Sequence, residues 1–223
     1  MTDIEPTRTD IAHPNHNKKY SRGLRFWHWA NMVVISGSLI TVLINSTLLD
    51  RRGTTSLITS GLKETGVTVT DKQAGNVSHA LNDKVWELHT YFGYALAALL
   101  LFRLILELFQ LADQKLIRKI KAAYLQFQTT KKQREIARHE LTVKIIYAGF
   151  YLLLMVMAIT GLFLAFENLL APYKAIRPTV KDVHGFCMYL VLAFIAVHVI
   201  GVFLAERKDS KGIVSDMING GGE

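Results

Sequence analysis

Four stretches of this chain are apolar for longer than any other feature lasts, and they constrain what it can fold into. Residues 26–49 hold no Lys, Arg, Asp or Glu, and neither do residues 145–166 or 183–205. Residues 85–112 are interrupted only by Glu87, Arg103 and Glu107. A helix needs about 20 apolar residues to cross the hydrocarbon core of a bilayer, and each block meets that length. A buried helical core is the alternative, and four such runs weigh against it. The expected fold is an all-α membrane protein, a four-transmembrane-helix bundle. Its spans are expected at about 24–49, 85–110, 141–167 and 182–205, in a domain of residues 24–206 between an N-terminal tail (1–23) and a C-terminal tail (207–223).

The first 23 residues are polar and lack a short apolar segment with a small-residue cleavage site. No cleaved signal peptide is expected, so the first span directs insertion. The single cysteine, Cys187, excludes an intramolecular disulfide, a CxxC metal site and covalent haem through CxxCH. It reads as a small packing residue of the fourth span. Orientation follows from Lys and Arg. With Arg25 at the start of span one, sixteen lie in the N-terminal tail, the second connection and the C-terminal tail, against eight in the first and third connections. Both termini are therefore expected in the cytoplasm, and the net charge of +8 reads as topology plus attraction to anionic headgroups. Nothing else supports nucleic-acid binding.

The connections differ in character. The Thr- and Val-containing stretch TTSLITSGLKETGVTVT, between the first two spans, allows a short hairpin or strand pair on the outer face. DQKLIRKIKAAYLQF, after the second span, sets Leu116, Ile117, Ile120, Tyr124 and Phe127 at roughly helical intervals among lysines. It reads as an interfacial amphipathic helix or an extension of the second span. ISG in span one and ITG in span three occupy comparable depths.

His13, His16, His79 and His139 lie in polar segments and read as solvated. His28, His89, His184 and His198 lie within spans, where an ionisable side chain needs a partner. With the N-terminus inside, His28 lies near the inner face, and His89 and His184 near the outer. His198 is fourteen residues beyond His184, roughly 21 Å along a helix and close to four turns, hence on the same helix face and near the inner side. Two pairs result: His89 with His184 outside, His28 with His198 inside. Two imidazoles from facing helices are what a six-coordinate haem iron requires. An interhelical hydrogen bond is the ordinary reading of one such histidine; four, paired by depth, point to haem. Zinc usually takes three or four ligands in one cluster, which this split arrangement does not offer.

Arg103 follows His89 by fourteen residues and falls at the depth of the inner pair. A haem propionate would balance its charge, and so would Glu107 four residues on. Gly37, Gly93, Gly161 and Gly201 suit either a macrocycle against the backbone or close helix packing.

The motifs RFWHW in span one, HTYFG followed ten residues later by Arg103, ITG in span three, HGFCMYLVLAFIAVH in span four and the tail ERKDSKGIVSDMINGG resemble one family. It is the bacterial cytochrome b561 / nickel-hydrogenase b-type cytochrome family, which includes the gamma subunits of formate dehydrogenases. The resemblance implies a four-helix bundle enclosing two non-covalent b haems, one on His28 and His198 and one on His89 and His184. It implies electron transfer across the bacterial inner membrane between a periplasmic or membrane-bound redox subunit, hydrogenase- or dehydrogenase-like, and membrane quinone. On that reading the chain is an electron-transfer subunit of a respiratory oxidoreductase, not catalytic alone. A stand-alone cytochrome b561-type quinol oxidoreductase is the alternative within the family. A non-redox histidine-containing transporter and a cofactor-free anchor are the alternatives outside it. The inner haem is the expected place of quinone exchange, near Trp27, Asn31, His139, Glu140 and Lys144, with Glu140 as a proton carrier or as the salt-bridge partner of Lys144.

Overall fold

The structure, a computed structural model, describes residues 8–10, 13–18, 22–109, 120–121, 124–125, 128, 134–207 and 212–220. Of the amphipathic stretch after the second span, Leu116, Ile117 and Phe127 lie outside the described residues. In the N-terminal tail, β1 (Arg8–Asp10) pairs antiparallel with β2 (His13–Lys18). The remaining elements are helical: α1 (Arg22–Leu43) with a π-helical end (Ile44–Leu48), α2 (Arg51–Glu64), α3 (Asp71–Phe109), α4 (Arg134–Ala165), a 3-10 segment (Ala171–Ile176), α5 (Arg177–Arg207) and α6 (Ile213–Asn219). Among the described residues four helical segments are long and apolar enough to span a membrane: Arg22–Leu48, Asp71–Glu107, Leu141–Ala165 and Ala171–Arg207.

The chain divides into two compact units, Ala30–Ala98 and the remainder, Met1–Trp29 with Leu99–Glu223. In the remainder, α4 packs along α5. Leu154 and Ala158, four residues apart on α4, and Cys187 and Val191, four apart on α5, are buried, as the i, i+4 ridges of packed helices require. Cys187 is a free, buried thiol. Arg177, opening α5, donates to the Leu164 carbonyl at 2.8 Å and pairs with Glu167 at 3.1 Å, which closes the short third connection. α6 folds back onto the start of α1: Trp29 Nε1 donates to the Met217 carbonyl (3.0 Å) and Arg25 Nη1 to that of Ile218 (2.5 Å). A cation at a helix C-terminus is favourable because the last carbonyls carry partial negative charge. The two ends of the membrane portion are therefore joined on one side.

The unit Ala30–Ala98 corrects the expected hairpin. The first connection is helical, with α2 capped by Asp50, whose carboxylate accepts from the amides of Arg52 (3.3 Å) and Gly53 (2.9 Å). A tight turn with Gly66 at φ 82° follows. α3 then starts on a reciprocal capping box: the Thr70 amide donates to Gln73 Oε1 (2.9 Å) and the Gln73 amide to Thr70 Oγ1 (3.3 Å). These caps outweigh the modest β preference of the Thr and Val residues. α3 is 39 residues long, about 58 Å, so it runs well beyond a hydrocarbon core about 30 Å thick. Thr54 on α2 and Ala74 and Ser78 on this extension are buried, and hydrogen bonds join the two segments. Asn82 Nδ2 donates to the Leu49 carbonyl at 2.9 Å, and Arg51 hydrogen-bonds His79. His79 is exposed, as expected, and this bond also joins the two helices.

Candidate functional site

The pair expected at the inner face is assembled by the start of α1 and the end of α5. The ring centroids of His28 and His198 lie 6.2 Å apart, with planes at 58°. An imidazole nitrogen bound at about 2 Å holds its ring centre about 3 Å from the metal, so two ligands on opposite sides of one iron have centres roughly 6 Å apart. The observed separation fits. Aromatic side chains hold both rings: Trp29 meets His28 edge-on at 5.2 Å, and Phe194 lies parallel to His198 at 5.8 Å, itself stacked on Phe150 at 3.8 Å. His28 Nδ1 is buried with no hydrogen-bond partner among the described residues.

Arg103 is buried and takes Glu107, one of the two partners left open by its sequence position. Its Nη2 pairs with Glu107 at 2.9 Å and its Nε donates to the Tyr151 hydroxyl at 3.1 Å. Its Nη1 is buried without a partner among the described residues, a donor suited to a carboxylate such as a haem propionate. Tyr151 had no signal in the sequence beyond its place in an apolar span. Trp27 packs on Tyr151 at 5.4 Å and donates Nε1–H to the Leu99 carbonyl at 2.9 Å. Trp27 is therefore a buried wall whose own donor is already used. Asn31 is also buried. Glu140 and His139 belong to α4, but their side chains lie outside the described residues.

The two histidines expected at the outer face belong to different units, and each has its own hydroxyl partners. In Ala30–Ala98, His89 Nδ1 lies 3.0 Å from Thr41 Oγ1, 3.3 Å from Ser38 Oγ and 3.3 Å from the Ser38 carbonyl. In the other unit, His184 Nδ1 lies 2.8 Å from Thr160 Oγ1. Metal-bound histidines characteristically bond an acceptor through their second nitrogen, so both environments suit a ligand. These hydroxyl residues escaped the sequence reading, although ITG contains Thr160 and Ser38 directly follows ISG. The glycines divide. A Cβ on Gly37 would come within 3.0 Å of the Phe92 ring, and one on Gly161 within 3.3 Å of His184 Cε1, whereas Gly93 and Gly201 have nothing within 4 Å. Close packing explains Gly37, and room for a histidine ring explains Gly161.

Compared with known proteins, residues 19–220 match the family model of prokaryotic cytochrome b561. No curated protein and no solved structure matches the chain.

Proposed function

This chain belongs to the prokaryotic cytochrome b561 family, and from that premise we propose that it is a dihaem relay between an outer redox partner and membrane quinone. Membership makes it a multi-pass membrane protein, a b-type cytochrome whose business is electron transfer. The finer reading assigns one haem to His28 and His198 and the other to His89 and His184. The observation that carries it is the 6.2 Å spacing of the His28 and His198 rings, with aromatic side chains beside both. The pairing of His89 with His184 rests on their common depth in the spans and on the resemblance of the motifs around them.

When bound, a b haem supplies a one-electron iron couple whose potential depends on its axial ligands, hydrogen bonds and burial. The chain's own residues do the rest. Trp29 and Phe194 flank the inner pair, and Phe150 backs Phe194, which holds both rings in place. Arg103 presents a buried guanidinium to a propionate, held by Tyr151 and Glu107. Quinone exchange is assigned to the inner haem, with Trp27 as an apolar wall, Asn31 as a polar contact and Glu140 as the proton route to water. A redox partner on the outer side is supported by the helical α2 and by the exposed apolar side chains it carries beyond the membrane, Leu57 above all. The inner-membrane location with both termini cytoplasmic is supported by the Lys and Arg asymmetry.

The test is spectroscopic. Purified protein reduced with dithionite should show a b-type alpha band, and the pyridine haemochrome assay should count two haems per chain. A count of one would remove the relay. In proteoliposomes, Glu140→Gln should slow quinol-driven haem reduction with both haems still bound; an unchanged rate would clear Glu140 of the role.

A further inference from the structure

We propose that Thr41 and Thr160 are ligand-positioning residues: each fixes one histidine of the outer pair as the Nδ1–H tautomer and makes that imidazole more electron-rich. The proposal rests on the assignment of His89 and His184 as haem ligands made above, and it adds which nitrogen binds and what tunes it.

The argument is a count of protons. A threonine hydroxyl has one hydrogen to donate and lone pairs to accept with. Thr41 Oγ1 lies 2.6 Å from the Ser38 carbonyl, one turn back in α1. Thr160 Oγ1 lies 2.6 Å from the Val156 carbonyl, with that of Met157 at 3.3 Å. A carbonyl oxygen only accepts, so each hydroxyl hydrogen is committed to its own helix. Towards the histidine each oxygen can then only accept, and the proton between them must sit on Nδ1. The Ser38 carbonyl at 3.3 Å from His89 Nδ1 requires the same assignment independently. Nε2 carries the lone pair in both rings and is the nitrogen that binds iron.

A histidine whose N–H is held by an acceptor is a more basic ligand, and a more basic ligand stabilises ferric over ferrous iron. His28 lacks such a partner, since its Nδ1 has none among the described residues. The two haems are thereby made unequal, with the hydroxyl-held one biased to give up its electron towards the inner pair. ITG acquires a meaning on this reading: its Thr160 places a hydroxyl against a ligand histidine, and Gly161 leaves room for the ring.

The experiment is potentiometric titration of the haem-loaded protein carrying Thr160→Val, Thr160→Ser or Thr41→Val. The outer component is identified as the one missing from His184→Ala. Thr160→Val should retain two haems and raise the potential of that component. The shift should approach a tenfold change in its oxidised-to-reduced equilibrium, about 59 mV for one electron. The inner component should not move, and Thr160→Ser should restore the parent value. Thr41→Val should shift the same component less, because the Ser38 carbonyl remains in reach. An unmoved potential in Thr160→Val, or an equal shift in both components, would overturn the proposal. If Thr160→Val loses haem, Thr160→Ser decides: the parent potential supports the role of the hydroxyl, and a shifted one refutes it. A His184→Ala protein that keeps both haems would instead overturn the ligand assignment, and with it the reason for the hydroxyls.

Discussion

His28 and His198 show how a single residue type acquires a role from its surroundings. Each sits in an apolar helix, where an imidazole must find a partner. What each finds is the other ring, with aromatic faces around both. The pairing makes a direct prediction. His28→Ala and His198→Ala should lose the same haem, and His89→Ala and His184→Ala the other, so that each variant counts one haem by pyridine haemochrome. Loss of one spectral component in both the His89 and His198 variants would break the pairing. Arg103 carries a second prediction at this scale. Breaking a buried ion pair from one side strands the other charge, at a cost of about 3–5 kcal/mol. Glu107 is partly exposed, which places the expected loss for Arg103→Leu at or below the low end of that range. Thermal unfolding in detergent should show the drop, and Arg103→Leu, Glu107→Leu together should recover part of it, since no charge is then left alone.

Between the spans, the caps decide what forms. Asp50 and the Thr70–Gln73 box start helices where composition alone permits strands, and α3 carries its hydrogen-bond ladder from outside the membrane into it. The signal was present as T-x-x-Q, a pattern with a mechanism, whereas Thr and Val content is only a preference. Gly37 tests packing at the same scale. The Phe92 ring occupies the place of its missing side chain, so Gly37→Val must push the ring or the backbone aside. Overpacking of this kind costs about 1–3 kcal/mol, and the thermal midpoint should fall accordingly. Gly201→Ala, whose added Cβ would meet nothing within 4 Å outside its own helical turn, should not lower the midpoint.

For the whole molecule, α6 joins the tail to the start of α1 through Trp29 and Arg25 and so fixes both ends of the membrane portion on one side. The Lys and Arg asymmetry predicts that this side is the cytoplasm. A reporter active only outside the inner membrane should stay silent when fused after Glu223 and be active when inserted near Gly66; the opposite pattern would exchange the inner and outer assignments without altering the pairs. The sequence by itself determined the class of the molecule. Hydropathy and charge act residue by residue along the chain, so four apolar runs, their polarity and the depths of the four histidines need no tertiary knowledge. The fourteen-residue spacing placed His184 and His198 on one helix face for the same reason: helical periodicity is local. Tertiary structure alone decided what lies across from each of these groups. Tyr151 under Arg103, Thr41 beside His89, Thr160 beside His184 and the Met217 carbonyl over Trp29 are partners 24 to 188 residues away in the chain. Such contacts depend on how helices rotate and slide against one another, and the apolar faces that drive packing fix those rotations only once all the side chains are in place.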